Sequence, residues 1–304
     1  MFKNVVAVGA GAVGCYYGGL LARHGVPVTL VGRQAGVDAI NRNGLLLDTT
    51  TFKETVRVKA TTDMSVVKDA DLVLLCVKTL DTVTAAREAK AFMRDGVPMI
   101  SMQNGVDNAE RIEEELGFEV ISAAVYVAAA VPAPGVLKHT GRGELVIGGD
   151  FPEELLKRIA EMFTAAGMPC TISAALAQQM WTKLVMNCTY NAQCALTACS
   201  YGTLVADPGA VQNMMILADE CIAVAKAKGI ILDPADIKDR VLKLGPSMPT
   251  TLSSTYQDLA KGKLTEIDSL NGYIAAQGKR YGIPTPLNAA MHALVRLRET
   301  RKPA

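Results

Sequence analysis

The 304-residue sequence has no excess of charge of either sign: 31 Lys and Arg stand against 30 Asp and Glu, a formal net charge of +1. Without a basic stripe or a cationic amphipathic segment, the sequence argues against nucleic-acid and membrane-surface partners. No C-x-x-C pair or metal-ligand spacing connects Cys15, Cys76, Cys170, Cys188, Cys194, Cys199 and Cys221. That excludes the common cysteine metal sites, so no metal is expected, and an odd set of thiols reads as buried side chains in a reducing cytoplasm. Long apolar runs are missing too: "VISAAVYVAAAV" stops at Pro132 after roughly a dozen residues, short of the ~20 that a spanning helix needs. The opening "MFKNVVAVGAGAVG" has the charge-then-apolar outline of a signal peptide, but its glycines serve a better purpose. Tandem repeats and low-complexity segments are absent as well. What is present is 50% apolar and 20% charged residues, the make-up of a soluble globular protein, at a length that suits two domains of about 150 residues each.

The first half reads as a dinucleotide-binding domain. A β-branched strand breaks at Gly9, a helical pattern runs to His24, and a second strand covers Val28–Val31: a βαβ unit. Gly9, Gly11 and Gly14 fit G-x-G-x-x-G at its first turn, with Ala10, Ala12 and Val13 between them. Gly9 suits the tight turn, Gly11 lets the backbone approach a pyrophosphate, and Gly14 allows close helix–strand packing. The helix start then offers free N–H groups to the phosphates. After the second strand an NAD site usually carries a carboxylate; here "VGRQ" supplies Arg33, with no acid until Asp38. A guanidinium there matches a 2′-phosphate, so NADP is preferred over NAD; a solvated surface arginine has the same sequence signature. Two further strands, Leu72–Val77 and Val97–Met102, end in Lys78 and in the Gln103-Asn104-Gly105 turn. Ligands lie beyond the carboxyl ends of such strands, which makes Lys78 and Asn104 cofactor or substrate candidates. A strand-end charge and an Asn-Gly turn chosen for its geometry fit the same residues. Residues 118–148 lack a helical period and read as an antiparallel extension, with His139 as a loop or strand residue.

From Phe151 onward helical periods dominate, with Pro at helix starts and Gly at their ends. The change of style places the domain boundary near 165–175, giving domains over 1–172 and 173–304. Within the second, "WTKLVMNCTYNAQCALT" spaces Lys183, Asn187 and Asn191 four apart, a polar row along one helix face amid apolar neighbours. A lysine in a half-apolar cleft is partly desolvated and becomes a better proton donor. Asparagines one and two turns on suit a carbonyl, a hydroxyl and a carboxylate. A row that caps a neighbouring helix or meets solvent has the same spacing. In "TTLSSTYQDLAKGKLTEIDSLNG", Ser253 and Ser254 precede a short helix. Glu266 and Asp268 open the next, with Thr265 as its N-cap and the acids complementing the dipole; Asp268, Lys261 and Lys263 read as solvated.

Taken together these motifs resemble the ketopantoate reductase (2-dehydropantoate 2-reductase) family along essentially the whole chain. The resemblance rests on Gly9-x-Gly11-x-x-Gly14, Arg33, Lys78 in "CVKT", "QNG" at 103–105, "W-x-K-L-x-x-N-x-x-x-N" at 181–191, "SS-x-x-Q-D" at 253–258 and "TEID-x-x-N-G" at 265–272. It implies an α/β Rossmann-type domain followed by an all-α domain of the 6-phosphogluconate dehydrogenase-like kind. It implies hydride transfer from NADPH to the 2-keto carbon of ketopantoate, giving pantoate for pantothenate and coenzyme A synthesis. Carried over position by position, Lys183 is the general acid and Glu266 assists it, positioning Lys183 or the substrate. Asn187, Asn191 and Ser254 hold the substrate, and Asn104 lies beside substrate and nicotinamide. Residues 9–14, Arg33, Lys78, Asn104 and Glu266 serve the cofactor. Two rivals keep their place: an NADP-dependent reductase of another branched 2-keto acid, and a non-catalytic NADPH sensor. Monomer and homodimer are both compatible with the sequence.

Overall fold

The computed structural model describes residues 2–300, and the chain divides into two compact units after Leu176. The first holds strands β1 (Val5–Val8), β2 (Val28–Val31), β3 (Leu45–Asp48), β4 (Lys53–Val56), β5 (Lys59–Thr61), β6 (Leu72–Leu75), β7 (Met99–Ser101), β8 (Ile121–Ala133), β9 (Val136–Gly148) and β10 (Cys170–Ile172). Between them run helices α1 (Ala12–Arg23), α2 (Gln34–Asn43), α3 (Thr82–Lys90), α4 (Asn108–Leu116) and α5 (Glu153–Ala165). The strands form one sheet in the order β4-β3-β9-β8-β7-β6-β1-β2-β5, with β10 paired to β9. From β5 to β8 every neighbouring pair is parallel.

Such a sheet must be buried on both faces, and the alternation of side chains shows how. Val5 and Ala7 of β1 and Leu72 and Leu74 of β6 pack into one core with Tyr17 and Leu21 of α1 and Phe163 of α5. Val6 and Val8, with Val73 and Leu75, enter the opposite core beside Ala86 and Ala89 of α3 and Ile112 of α4. Both faces of β1 and β6 are buried, which is why these two strands read as unbroken apolar runs.

The antiparallel extension expected over 118–148 is the β8–β9 hairpin, closed by a two-residue turn in which Gly135 takes φ +74°. Beyond it lie β3, parallel to β9, and β4, antiparallel to β3. His139 lies in β9 and is buried; its Nε2 is 2.6 Å from the carbonyl of Arg142 and its ring packs on Tyr16.

The second unit is helical: α6 (Leu176–Thr197, which starts on the last residue of the first unit), α7 (Tyr201–Ala206), α8 (Pro208–Ala227), α9 (Pro234–Ser247), α10 (Ser254–Ala260), α11 (Asn271–Tyr281) and α12 (Pro286–Glu299). Proline starts α8, α9 and α12, where its missing N–H has no intrahelical partner to lose. Side chains stitch the helices together: the Tyr190 hydroxyl in α6 donates to the carbonyl of Val241 in α9 at 2.6 Å and accepts the N–H of Gly245 at 3.1 Å. This is the α/β Rossmann-type unit plus all-α unit that the sequence implied. Among the described residues, no helix is long and apolar enough to cross a membrane.

Candidate functional site

In the first unit the residues singled out by sequence converge on the carboxyl ends of β1, β2, β6 and β7. The chain leaves β1 toward β2 on one side, and β6 flanks β1 on the other, a reversal that opens a crevice at the strand ends. The glycine turn sits at that point. Gly9 and Ala10 donate to the carbonyl of Val31 at 2.9 and 3.0 Å, which ties the turn to β2, and Cys76 donates to Val8 at 2.7 Å.

The three glycines have different reasons to be there. Gly9 takes φ +113°, and a Cβ on it would lie 2.7 Å from the backbone of Cys76 and Val77. A Cβ on Gly14 would lie 2.0 Å from the carbonyl oxygen of Gly9, so only glycine lets α1 approach the turn. At Gly11 a Cβ would meet nothing within 4 Å. Packing does not require glycine there; an open backbone at the N-cap of α1, with no side-chain cap on the first amides, is what a pyrophosphate would use.

Arg33 is exposed and is the N-cap of α2, directly after β2. Lys78 is exposed just past β6. Asn104 is half-buried, and its turn is held from beneath by its own carbonyl, which accepts from the Thr79 hydroxyl at 2.9 Å and from Asn108 Nδ2 at 2.7 Å. Below that lies a buried chain of uncharged polar groups. Ser101 donates to Gln103 Oε1 at 3.0 Å, Gln103 Nε2 donates to the Thr82 hydroxyl, and Thr82 is within hydrogen-bond reach of the Thr79 carbonyl and Asn108 Oδ1. Sequence reading missed Thr79, Thr82 and Asn108. Their signal was compositional: small polar residues bunched just past two apolar strands.

The thiols nearby are inert by burial. Desolvation pushes Cys15 up to about 12, and Cys76 rises as well through burial and then its neighbour Cys15, so both stay protonated and non-nucleophilic.

In the second unit, Lys183, Asn187 and Asn191 lie on the single helix α6, as their spacing predicts. The row deepens along its length: Lys183 and Asn187 are half-buried, whereas Asn191 is buried. Asn191 Oδ1 accepts from the Tyr201 hydroxyl at 2.9 Å, and the Asn191 carbonyl accepts from the Ser253 hydroxyl at 3.2 Å. Burial, then the nearby Cys194 and Tyr190, hold the Tyr201 phenol protonated, so it serves as donor.

Ser253 is the N-cap of α10 and accepts the N–H of Tyr256 at 3.1 Å; Ser254 is the first helical residue and is exposed. Glu266 is half-buried. The helix expected to open on Glu266 and Asp268 is instead a 3-10 turn over Ile267–Ser269, with α11 starting at Asn271, and the Glu266 side chain makes no cap bond. The Thr265 hydroxyl does accept the N–H of Ile267, at 3.2 Å. Asp268, expected to be simply solvated, pairs instead with His292 Nε2 at 2.6 Å. Among the described residues no group of three or more His, Cys, Asp or Glu side chains is placed to hold a metal ion.

Residues 5–150 match the family model described as ketopantoate reductase PanE/ApbA, and residues 175–299 match its C-terminal companion model. The chain belongs to the ketopantoate reductase family. Within that family, the 2-dehydropantoate 2-reductase of Halobacterium salinarum is 33% identical over 301 residues, covering 97% of this chain and 98% of its own. That of Pyrococcus horikoshii is 32% identical over 300 residues, covering 98% of each. Among solved structures, a PanE/ApbA family ketopantoate reductase from Ralstonia eutropha JMP134 superposes with a TM-score of 0.92 at 46% identity, covering 97% of this chain and 98% of that one. The same ketopantoate reductase architecture extends to a D-mandelate dehydrogenase solved with NADH and anilino(oxo)acetate, at a TM-score of 0.91 and 25% identity, with coverage of 97% and 98%.

Proposed function

We propose that this protein reduces 2-dehydropantoate to pantoate with NADPH, in the cytoplasm and in the service of pantothenate and coenzyme A synthesis. The observation that carries the reading is the half-buried Lys183 one helical turn from a half-buried Asn187, in a chain both of whose halves match the family.

The first unit fits a nicotinamide dinucleotide. Gly9–Gly14 would hold its pyrophosphate, with the unobstructed backbone at Gly11 as the point of closest approach, and Arg33 would take the 2′-phosphate. Lys78 and Asn104 would complete that unit's contacts to the cofactor. When bound, NADPH supplies the hydride for the 2-keto carbon.

The remaining chemistry belongs to side chains. The Lys183 ammonium stabilises the negative charge that develops on the substrate oxygen and then donates a proton to it. Glu266 assists by positioning Lys183 or the substrate. Asn187, Asn191 and Ser254 bind the substrate's hydroxyl and carboxylate. Tyr201 already donates to Asn191 Oδ1, and the two amide N–H donors of Asn191 suit a carboxylate.

The likeness to a D-mandelate dehydrogenase solved with NADH gives a second reading some weight, that of a reductase for another 2-keto acid. Turnover of ketopantoate and 2-ketoisovalerate, each with NADPH and with NADH, separates the two. Ketopantoate with NADPH is expected to give the highest kcat/KM. Preference for 2-ketoisovalerate would remove the substrate assignment; preference for NADH would remove the role given to Arg33. Arg33→Ala is expected to lower the NADPH-over-NADH ratio by about 10- to 100-fold, the worth of a charge-assisted contact.

A further inference from the structure

The turn that carries Glu266 is fastened on both sides by one helix. The Glu299 side chain, at the end of α12, is only 3% exposed. Its Oε1 accepts from the Thr265 backbone N–H at 2.8 Å and from the Thr265 hydroxyl at 2.7 Å, while its Oε2 accepts from Arg296 Nη1 at 2.8 Å. A carboxylate this enclosed needs such donors. On the far side of Glu266, Asp268 Oδ1 lies 2.6 Å from His292 Nε2, and its Oδ2 lies 3.7 Å from the same Arg296 Nη1. His292, Arg296 and Glu299 follow one another at four and three residues and so share a face of α12. That face grips residue 265, just before Glu266, and residue 268, two after it.

The helix that grips is itself anchored. Glu220 of α8 accepts the N–H groups of Leu287 and Asn288 at 2.9 Å and Asn288 Nδ2 at 2.7 Å, holding the N-terminus of α12. Asn271 Nδ2 donates to Asn288 Oδ1 at 2.9 Å and to the Cys188 carbonyl of α6 at 3.0 Å. Ala192 of α6, Ile267 of the turn and Val295 of α12 are buried against one another. The Glu266 turn is thus referenced, through α12, to the helix that bears Lys183.

We infer that His292, Arg296 and Glu299 are positioning residues that fix Glu266 relative to α6. The inference rests on the role proposed above for Glu266. The three act through the turn, by holding Thr265 and Asp268.

The test is a double-mutant cycle in the full-length enzyme, with NADPH and ketopantoate as substrates. Glu299→Ala and His292→Leu are each expected to lower kcat about tenfold, the scale of a sub-ångström misplacement, with KM changing less. In a Glu266→Gln background the same substitutions should lower kcat by less than about twofold. Thr265→Ser and His292→Gln, which preserve the hydrogen bonds, should restore most of the rate. Amide hydrogen exchange at 266–269 should quicken in Glu299→Ala and His292→Leu.

Equal losses with and without Glu266 would overturn the inference, because the clamp would then act on something else. So would unchanged exchange at 266–269. Wild-type turnover by Glu266→Gln alone would instead sink the role given to Glu266, and the clamp's purpose with it. Should Glu299→Ala fail to fold, Thr265→Val and His292→Leu carry the same comparison.

Discussion

The glycine turn of the first unit and the polar row of the second present their chemistry in opposite ways. At the turn, the working groups we propose are backbone amides, and the sequence contributes by leaving side chains out: Gly14 lets a helix in and Gly11 leaves space open. Along α6, the working groups we propose are the side chains of Lys183, Asn187 and Asn191, and the backbone merely spaces them. A site made of amides is sensitive to added atoms; a site made of side chains is sensitive to removed ones.

Lys183→Ala tests the second half of that contrast most severely. Removing the proposed general acid is expected to lower kcat by 10²- to 10⁴-fold while NADPH affinity, measured by fluorescence titration, stays near wild type. Unchanged turnover would remove the role given to Lys183, whereas full cellular function of Lys183→Ala without turnover would favour the NADPH-sensor reading.

The first half is tested by adding one methyl at each of two glycines. Gly14→Ala places a Cβ against the Gly9 carbonyl and is expected to lower stability by about 1–3 kcal/mol, seen in urea unfolding, and to impair NADPH binding. Gly11→Ala should leave the unfolding midpoint within error and weaken NADPH binding alone. Equal destabilisation by both would erase the distinction drawn between the two glycines.

A smaller effect separates scaffold from chemistry within the row itself. Tyr201→Phe leaves buried Asn191 Oδ1 without its donor and should destabilise the protein by about 1–3 kcal/mol. If Asn191 serves substrate through its N–H groups, KM for ketopantoate should rise more than kcat falls.

The smallest expected change is chemical labelling. Six of the seven cysteines are buried and only Cys199 is half-exposed. With Cys15 held up near 12 by desolvation, alkylation of the native protein at pH 8 should proceed first at Cys199, with the rest reacting on unfolding. Mass spectrometry of the labelled peptides reads the order directly.

Local signals made the frame legible. The βαβ unit, the strand ends at Lys78 and Asn104, the hairpin over 118–148 and the continuous helix under the lysine row all follow from period and glycine placement. What could not be read depends on contacts between residues distant in the chain. Thr79 and Asn108 look like unremarkable polar positions until the fold brings both to the Asn104 carbonyl. Asp268 looks solvated until α12 brings His292 beside it. Position 266 looked like a helix start because Thr265 followed by acids is a capping pattern; tertiary bonds from Glu299 hold the segment in a 3-10 turn instead.

The strand order also dictates a schedule for folding. Leu46 and Leu47 of β3 find their ladder partners only at Val136 and Leu137, and β9 in turn waits for Cys170–Ile172. A nascent chain emerging from the ribosome therefore carries β3 with one side unpaired until the hairpin has been synthesised. Its partner on the other side, β4, presents Lys53 and Glu54 to solvent, and charges at that rim discourage association with a second unfinished chain during the delay.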